Sequence, residues 1–166
     1  MSDAEAAAAP LEISQALGAD AVDQVRALFR EYEAEIGGGL CFQGFAAELA
    51  SLPGAYASPS GRLLLAREGP ALAGCVALRP LDAARCEMKR LYLRPAFRGR
   101  GHARRLAEAA IAAARAIGYR RICLDTLPTM TAARALYADL GFAERPVHGA
   151  NPPGVLHLER ELRESA

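Results

Sequence analysis

Apolar residues recur along the chain in two periods, and the period changes at glycine and proline. In "LEISQAL" (residues 11–17) the pattern predicts a short first strand. After Asp20, which stands where a helix cap belongs, Val22, Val25, Phe29, Tyr32 and Ile36 follow at spacings of three and four. That is one apolar stripe of a helix. "GGGL" (37–40) breaks it. "FQGFAAELASLPG" predicts a shorter second helix, ended by Pro53 and Gly54, and "SPSG" (58–61) is a turn. "RLLLARE" and "ALAGCVALRPL" flank a Gly-Pro pair and predict a hairpin; "ARCEMKRLYLRP" continues it as a third strand ended by Pro95. A helix with Leu106, Ala110, Ala113 and Ile117 on one face closes at Gly118. "RRICLDT" is a strand, and "MTAARALYADL" a helix striped by Met130, Ala133, Tyr137 and Leu140 and ended by Gly141. "GVLHLERELR" is a last strand after the loop "PVHGANPPG", and "GFAERP" offers one more.

The order β α α β β β α β α β, with helices punctuating a mostly antiparallel sheet, is a mixed α/β class. At 166 residues one domain is expected, over 11–166, after a mobile Ala-rich tail at 1–10. The net charge of +1 gives no global field toward nucleic acid or an acidic membrane. No apolar run approaches the roughly 18 residues of a membrane span, and "MSDAEAAAAP" lacks the features of a signal peptide. A cytoplasmic protein with neither nucleic-acid nor membrane partners is expected. Cys41, Cys75, Cys86 and Cys123 form no CxxC pair, and the last three lie in apolar, strand-like runs as small hydrophobes. No metal is expected. Lys89 is the only lysine in the chain.

Chemistry concentrates in "RGRGHA" (98–103). Gly99, Gly101 and Ala103 alternate with Arg98, Arg100 and His102, and Arg104 and Arg105 follow. A helix start carries unpaired N–H groups and the positive end of the helix dipole. Small residues there let an anion approach the backbone, and a diphosphate suits such a cradle. A tight turn with solvated arginines is the competing reading. No GxxxxGK[ST] loop is present, and Arg104 stands where a dinucleotide fingerprint needs a third small residue.

The motif Arg98-x-x-Gly101-x-Ala103, after "LYLRP" and before a helix, resembles the R/Q-x-x-G-x-G/A signature of the Gcn5-related N-acetyltransferases, the GNAT superfamily. "EMKRLYLRPAFRGRGHARRL" resembles the family's central strand and pyrophosphate loop, and "ARALYADLGF" its later helix and strand start. The element order agrees over roughly residues 11–162. The resemblance implies a GNAT-type fold with a splayed, bulged central strand and acetyl-CoA as co-substrate. Main-chain atoms around Leu91, Tyr92 and Leu93 would hold the pantetheine arm. The N–H groups from Gly99 through Arg104, with Arg100 and His102 among them, would hold the pyrophosphate, and nearby arginines the 3′-phosphate. Family members often carry an asparagine seven residues before the tyrosine of "ALY"; here Met130 stands there, with Thr129 and Thr131 beside it.

Acetylation of an amine needs a proton acceptor, donors for the oxyanion and an acid for the departing thiolate. By the resemblance, Glu87 is the general base and Tyr137 the acid. Simple alternation along the strand puts Glu87 on the face of Leu91 and Leu93, among apolar neighbours Cys86, Met88 and Leu91. A salt bridge to Arg85, Lys89 or an arginine across the sheet is its competing role, and core packing is that of Tyr137. The acceptor side in this fold falls on "GGGLCFQGF" and "PVHGANPPG", which offer Phe42, Gln43, His148 and Asn151. The amine of a small molecule or amino acid is the expected acceptor, a protein amine or a non-catalytic acyl-CoA-binding role the alternatives, and the protein is expected as a monomer or homodimer.

Overall fold

The computed structural model describes residues 9–37, 44–146 and 154–162. The elements run β1 (Leu11–Gln15), α1 (Ala19–Ile36), α2 (Phe45–Ser51), β2 (Arg62–Glu68), β3 (Ala71–Pro80), β4 (Arg85–Leu93), α3 (His102–Ile117), β5 (Arg121–Thr126), α4 (Thr131–Asp139), β6 (Ala143–Glu144) and β7 (Leu156–Glu161). The strands form one seven-stranded sheet in the order β1-β2-β3-β4-β5-β7-β6. Every neighbouring pair is antiparallel except β4 and β5, which are parallel and joined by α3. The element order, the Gly69-Pro70 hairpin turn and the extra strand at Ala143 agree with the sequence pattern. The tail at residues 1–8 lies outside the described residues. Among the described residues, no helix is long and apolar enough to cross a membrane.

Two cores sandwich the sheet. On one face Val25, Leu28, Phe29 and Tyr32 of α1 meet Leu63, Leu65, Cys75, Ala77 and Tyr92. On the other, Leu106, Ala107, Ala110, Ile111 and Ala114 of α3 and Tyr137 of α4 meet Leu64, Val76, Leu78, Cys86, Met88 and Leu93. Full burial of a side chain such as Leu106 or Ile111 contributes about 1.5–3 kcal/mol, so these stripes fix how the helices roll on the sheet. The α3 stripe is rotated from its expected place: Ala107, Ile111 and Ala114 are buried, while Ala113 and Ile117 are half-covered. Counting at a fixed spacing finds a helix's apolar side but misjudges its centre when alanine fills most positions. Gly18, not Asp20, occupies the N-cap of α1, and Asp20 sits in the first turn, where its charge complements the helix dipole.

Gly74 sets how closely β3 and β4 approach. A Cβ on this residue would collide with the Tyr92 carbonyl oxygen and crowd the Leu93 side chain. Just beyond, the β3–β4 register slips. Cys75 faces Tyr92, but Ala77 faces Lys89, so Arg90 and Leu91 together oppose Val76. This is a β-bulge, and Arg90 takes φ 60° within it, the one non-glycine residue with positive φ among the described residues. Such a backbone costs an L-residue roughly 1–2 kcal/mol, and the bulge has two consequences for the site.

Candidate active site

The first consequence is a change of face. Upstream of the bulge, Cys86 and Met88 point toward α3, while Glu87 faces Arg79, and Lys89 faces Ala77, on the α1 side. Downstream, Leu91 and Leu93 pack toward α3 and Tyr92 toward α1. Simple alternation placed Glu87 with Leu91 and Leu93; the inserted residue puts it on the opposite face. Its expected apolar neighbours Cys86, Met88 and Leu91 therefore lie across the sheet. The Arg79 guanidinium meets the carboxylate instead: Nε donates to Oε1 at 2.7 Å and Nη2 lies 2.6 Å from the same oxygen. Among the described residues nothing hydrogen-bonds Glu87 Oε2. Glu87 is 7% exposed, and that exposure opens into a cavity.

The second consequence is a gap in the sheet. β4 pairs with β5 only at Arg85, Cys86 and Glu87, opposite Arg121, Ile122 and Cys123. From Met88 onward no strand among the described residues lies beside the β5-facing edge of β4. A cavity of about 650 Å³ fills the opening, walled by β4 from Glu87 to Leu93, by Leu124, Asp125 and Thr126 of β5, and by Thr131, Ala133 and Tyr137 of α4. Unpaired strand-edge amides and carbonyls accept an extended ligand as they would another strand.

The cavity runs on to the start of α3. Gly99 and Gly101 both take φ 81°, the left-handed region where glycine is at home, and Gly101 caps the helix. A Cβ on either would meet nothing within 4 Å, so backbone shape and not crowding calls for glycine. Among the described residues no acceptor takes the amide N–H of any residue from Gly99 through Arg104. These donors, with the dipole of a helix running to Ile117, form a cradle for an anion. The arginines around it are held by acids. Arg98 donates to the Leu93 carbonyl at 2.9 Å and to Glu35 at 2.7 Å, Arg100 to Glu68 at 2.9 Å, and Arg104 to Glu108 at 3.0 Å. Hydrogen bonds from Arg100 and His102 hold the Glu68 carboxyl below its usual range, against a smaller opposing effect of burial. Only Arg105 of this group lacks a carboxylate among the described residues. His102 Nε2 lies 3.0 Å from Glu68, and its Nδ1 is buried with no partner among the described residues. Ala103 lines the cavity beside it.

Tyr137 enters the cavity from α4. Its ring packs edge-on to Phe142 at 5.8 Å, and no described residue hydrogen-bonds its hydroxyl. Burial, and then the nearby Tyr32 phenol, push its pKa well above the ordinary tyrosine value. It therefore keeps its proton at neutral pH. Met130 caps α4, and Thr126 Oγ1 lies 3.7 Å from its sulfur; Thr129 and Thr131 line the cavity beside it. Tyr92, from the opposite face, packs edge-on to Tyr32 at 6.0 Å. Phe42, Gln43, His148 and Asn151 lie outside the described residues.

A splayed β4–β5 pair beside an anion cradle is a specific arrangement, and the sequence carries the matching profile. Residues 23–142 match the acetyltransferase (GNAT) family. The chain belongs to the GNAT acetyltransferases. An uncharacterized N-acetyltransferase of Schizosaccharomyces pombe is 39% identical over 145 residues, covering 85% of this chain and 88% of that protein. The IAA acetyltransferase of Azospirillum brasilense is 35% identical over 106 residues, covering 63% of this chain and 69% of that protein. Among solved structures, the fold matches the PaiA N-acetyltransferase of Thermoplasma acidophilum in complex with coenzyme A (TM-score 0.72, 17% identity, 92% of this chain and 99% of that one). It also matches a GNAT acetyltransferase of Elizabethkingia anophelis with acetyl-CoA bound (TM-score 0.63, 20% identity, 92% and 98%).

Several residues of this GNAT site were not singled out from the sequence. Arg90 turns its side chain under α1 and α2, where Nη2 pairs with Glu48 at 2.8 Å. Its guanidinium lies over the rings of Phe45, Tyr32 and Phe29 at 5.2, 5.8 and 5.9 Å. Cation–π attraction and this ion pair offset the cost of its backbone. A second cavity of about 410 Å³ lies here, lined by Phe45, Glu48, Tyr56, Arg79, Lys89 and Arg90 among others. On β5 and β7, His157 bridges Asp125 at 2.9 Å and Glu159 at 3.0 Å. Burial alone would lower the His157 pKa, but these carboxylates outweigh it and raise it. The buried Cys123 thiol beside Glu159 is pushed up to about 12, chiefly by burial. Only the Arg79–Glu87 pairing had a sequence signal, since two strands joined by a short turn set each other's register.

Proposed function

We propose that this chain transfers the acetyl group of acetyl-CoA to the primary amine of a small molecule, by direct attack in a ternary complex. The observation that carries the reading is the continuity of one cavity. It joins an unpaired strand edge, an anion cradle of partnerless amides, a carboxylate and a partnerless phenol. The β4 edge around Leu91 and Leu93 receives the pantetheine arm, and the amides from Gly99 through Arg104 receive the diphosphate. Arg105, which has no carboxylate among the described residues, is our candidate for the nucleotide's remaining phosphate. The coenzyme A and acetyl-CoA complexes of fold neighbours support that donor.

An alkylammonium has a pKa near 10, so the acceptor must lose a proton before it attacks. Glu87 takes it on Oε2, directly or through water, while Arg79 fixes the carboxylate through Oε1. Nitrogen bonds to the thioester carbon, the carbon–sulfur bond breaks, the Tyr137 hydroxyl gives its proton to the departing thiolate, and the second proton lost by the nitrogen returns to the phenolate, directly or through water. Main-chain N–H groups of β4 near Leu93 serve the oxyanion. An acceptor-side cavity of about 410 Å³ falls in the range of small-molecule sites and supports a small acceptor.

The test is a thermal titration with acetyl-CoA followed by a thiol-release screen over an amine library. A ligand bound only by the folded state raises the melting temperature, and one or more small amines should release thiol. A flat titration at saturating acetyl-CoA would overturn the donor. Turnover confined to peptides would overturn the small acceptor.

A further inference from the structure

Three cations converge where the two cavities meet: Arg79, Lys89 and Arg90 all line the smaller one. Two are committed. Arg79 holds Glu87, and Arg90 holds Glu48. Lys89 has no carboxylate within ion-pair distance among the described residues. Lys89 is nonetheless half-covered, and it lines both cavities. Burial pulls its pKa below the ordinary lysine value; Arg79 and Arg90 act in the same direction, with Glu87 and Glu48 opposing. A cation taken from water without a counter-ion is costly. A bound anion removes that cost.

Position selects what the anion belongs to. Glu87 and Lys89 are two residues apart on β4, upstream of the bulge and on the same face, so roughly 7 Å of strand separates their Cα atoms. A small acceptor with its amine at Glu87 has its other end at Lys89. We propose that the acceptor is an amine that also bears a carboxylate, a molecule of amino-acid type, whose carboxylate is received by the Lys89 ammonium in the cavity between α2 and β3–β4. This rests on the reading of Glu87 as the base that takes the amine proton. A lysine side chain within a protein brings no such carboxylate, so this site would favour small acceptors.

The experiment uses the full chain with saturating acetyl-CoA and matched triplets: free amino acids, their carboxamides and their decarboxylated amines. Thiol release should favour an acid over its neutral counterparts by about 30-fold or more in kcat/KM, the lower end of what a desolvated charge pair carries. Lys89→Met should bring that ratio close to one and leave the acetyl-CoA thermal shift in place. Lys89→Arg should retain part of it. Because Lys89 is the only lysine, its reductive methylation followed by mass spectrometry gives a readout independent of turnover. The preferred acid should protect it, and its carboxamide should not.

Equal use of acids and neutral counterparts would overturn the carboxylate site while leaving the acetyltransferase reading intact. So would an acid preference that survives Lys89→Met. No turnover of any acid would also overturn it, and the acetyl-CoA thermal shift then shows separately whether the donor reading stands.

Discussion

Arg79 and Glu87 face each other across the β3–β4 ladder, and both guanidinium contacts, at 2.7 and 2.6 Å, fall on the single oxygen Oε1. The sequence offered two roles for Glu87, ion pair or base. The geometry accommodates both, because one oxygen anchors the carboxylate and the other is left to the cavity.

Glu87→Gln should lower kcat about 10²- to 10⁴-fold, the range of a general base, and leave the acetyl-CoA thermal shift within error. The amide keeps the shape and can still accept from Arg79, so packing changes little. Equal loss of turnover and donor binding would show that Glu87 is structural.

Tyr137→Phe should reduce kcat much more than it raises KM for acetyl-CoA. The phenol's pKa lies above its ordinary value because of burial. The acid form is therefore lost only as pH rises beyond that value, near 10. The kcat profile of the native chain should show no falling limb from this group between pH 7.5 and 9.5. A limb there that disappears in Tyr137→Phe would contradict the burial.

Gly74→Val should cost about 1–3 kcal/mol, as overpacking does, measured by urea denaturation. It should also abolish the acetyl-CoA shift at temperatures where the variant is folded, because the new side chain pushes on Tyr92 and Leu93, where β4 forms the cavity wall. Destabilisation with donor binding retained would separate this contact from the site.

Stability should decline at alkaline pH. Burial pushes Cys86 and Cys123 up to about 12 from 9.0, and raises Cys75, Tyr56 and Tyr137 beyond their ordinary values. The folded chain keeps protons that the unfolded chain releases, so this stability is intact below pH 9 and drains as pH climbs toward the folded values. Lys89, with its pKa lowered, acts in the opposite sense but is a single group. Urea midpoints at pH 8 and pH 10.5 check it; an equal or higher midpoint at 10.5 would contradict the shifts.

Local features were legible because their causes are local. The Gly69-Pro70 turn, the helices ended by Gly37, Gly118 and Gly141, and the glycine-bearing start of α3 are written in neighbouring residues. The GNAT resemblance rested on two such stretches, and both sit at the one cavity. The proposed acceptor side was less legible. Phe42, Gln43, His148 and Asn151 were named from loop positions, whereas Arg79, Lys89, Arg90 and Glu48, far apart in sequence, line the second cavity together.

By itself the sequence determined the order of elements and the glycine-bearing helix start at Gly99–Arg104, because periodicity and turn chemistry need no partner; Glu87 and Tyr137 became candidates through the family resemblance. Only the tertiary structure decided which way Glu87 faces. Alternation holds along a strand until a residue is inserted, and the insertion at Arg90 is a property of the pairing between β3 and β4, not of β4 alone. The same bulge, with the early end of β4–β5 pairing, opens the gap that brings Glu87 and Tyr137 to one cavity from opposite faces of the sheet.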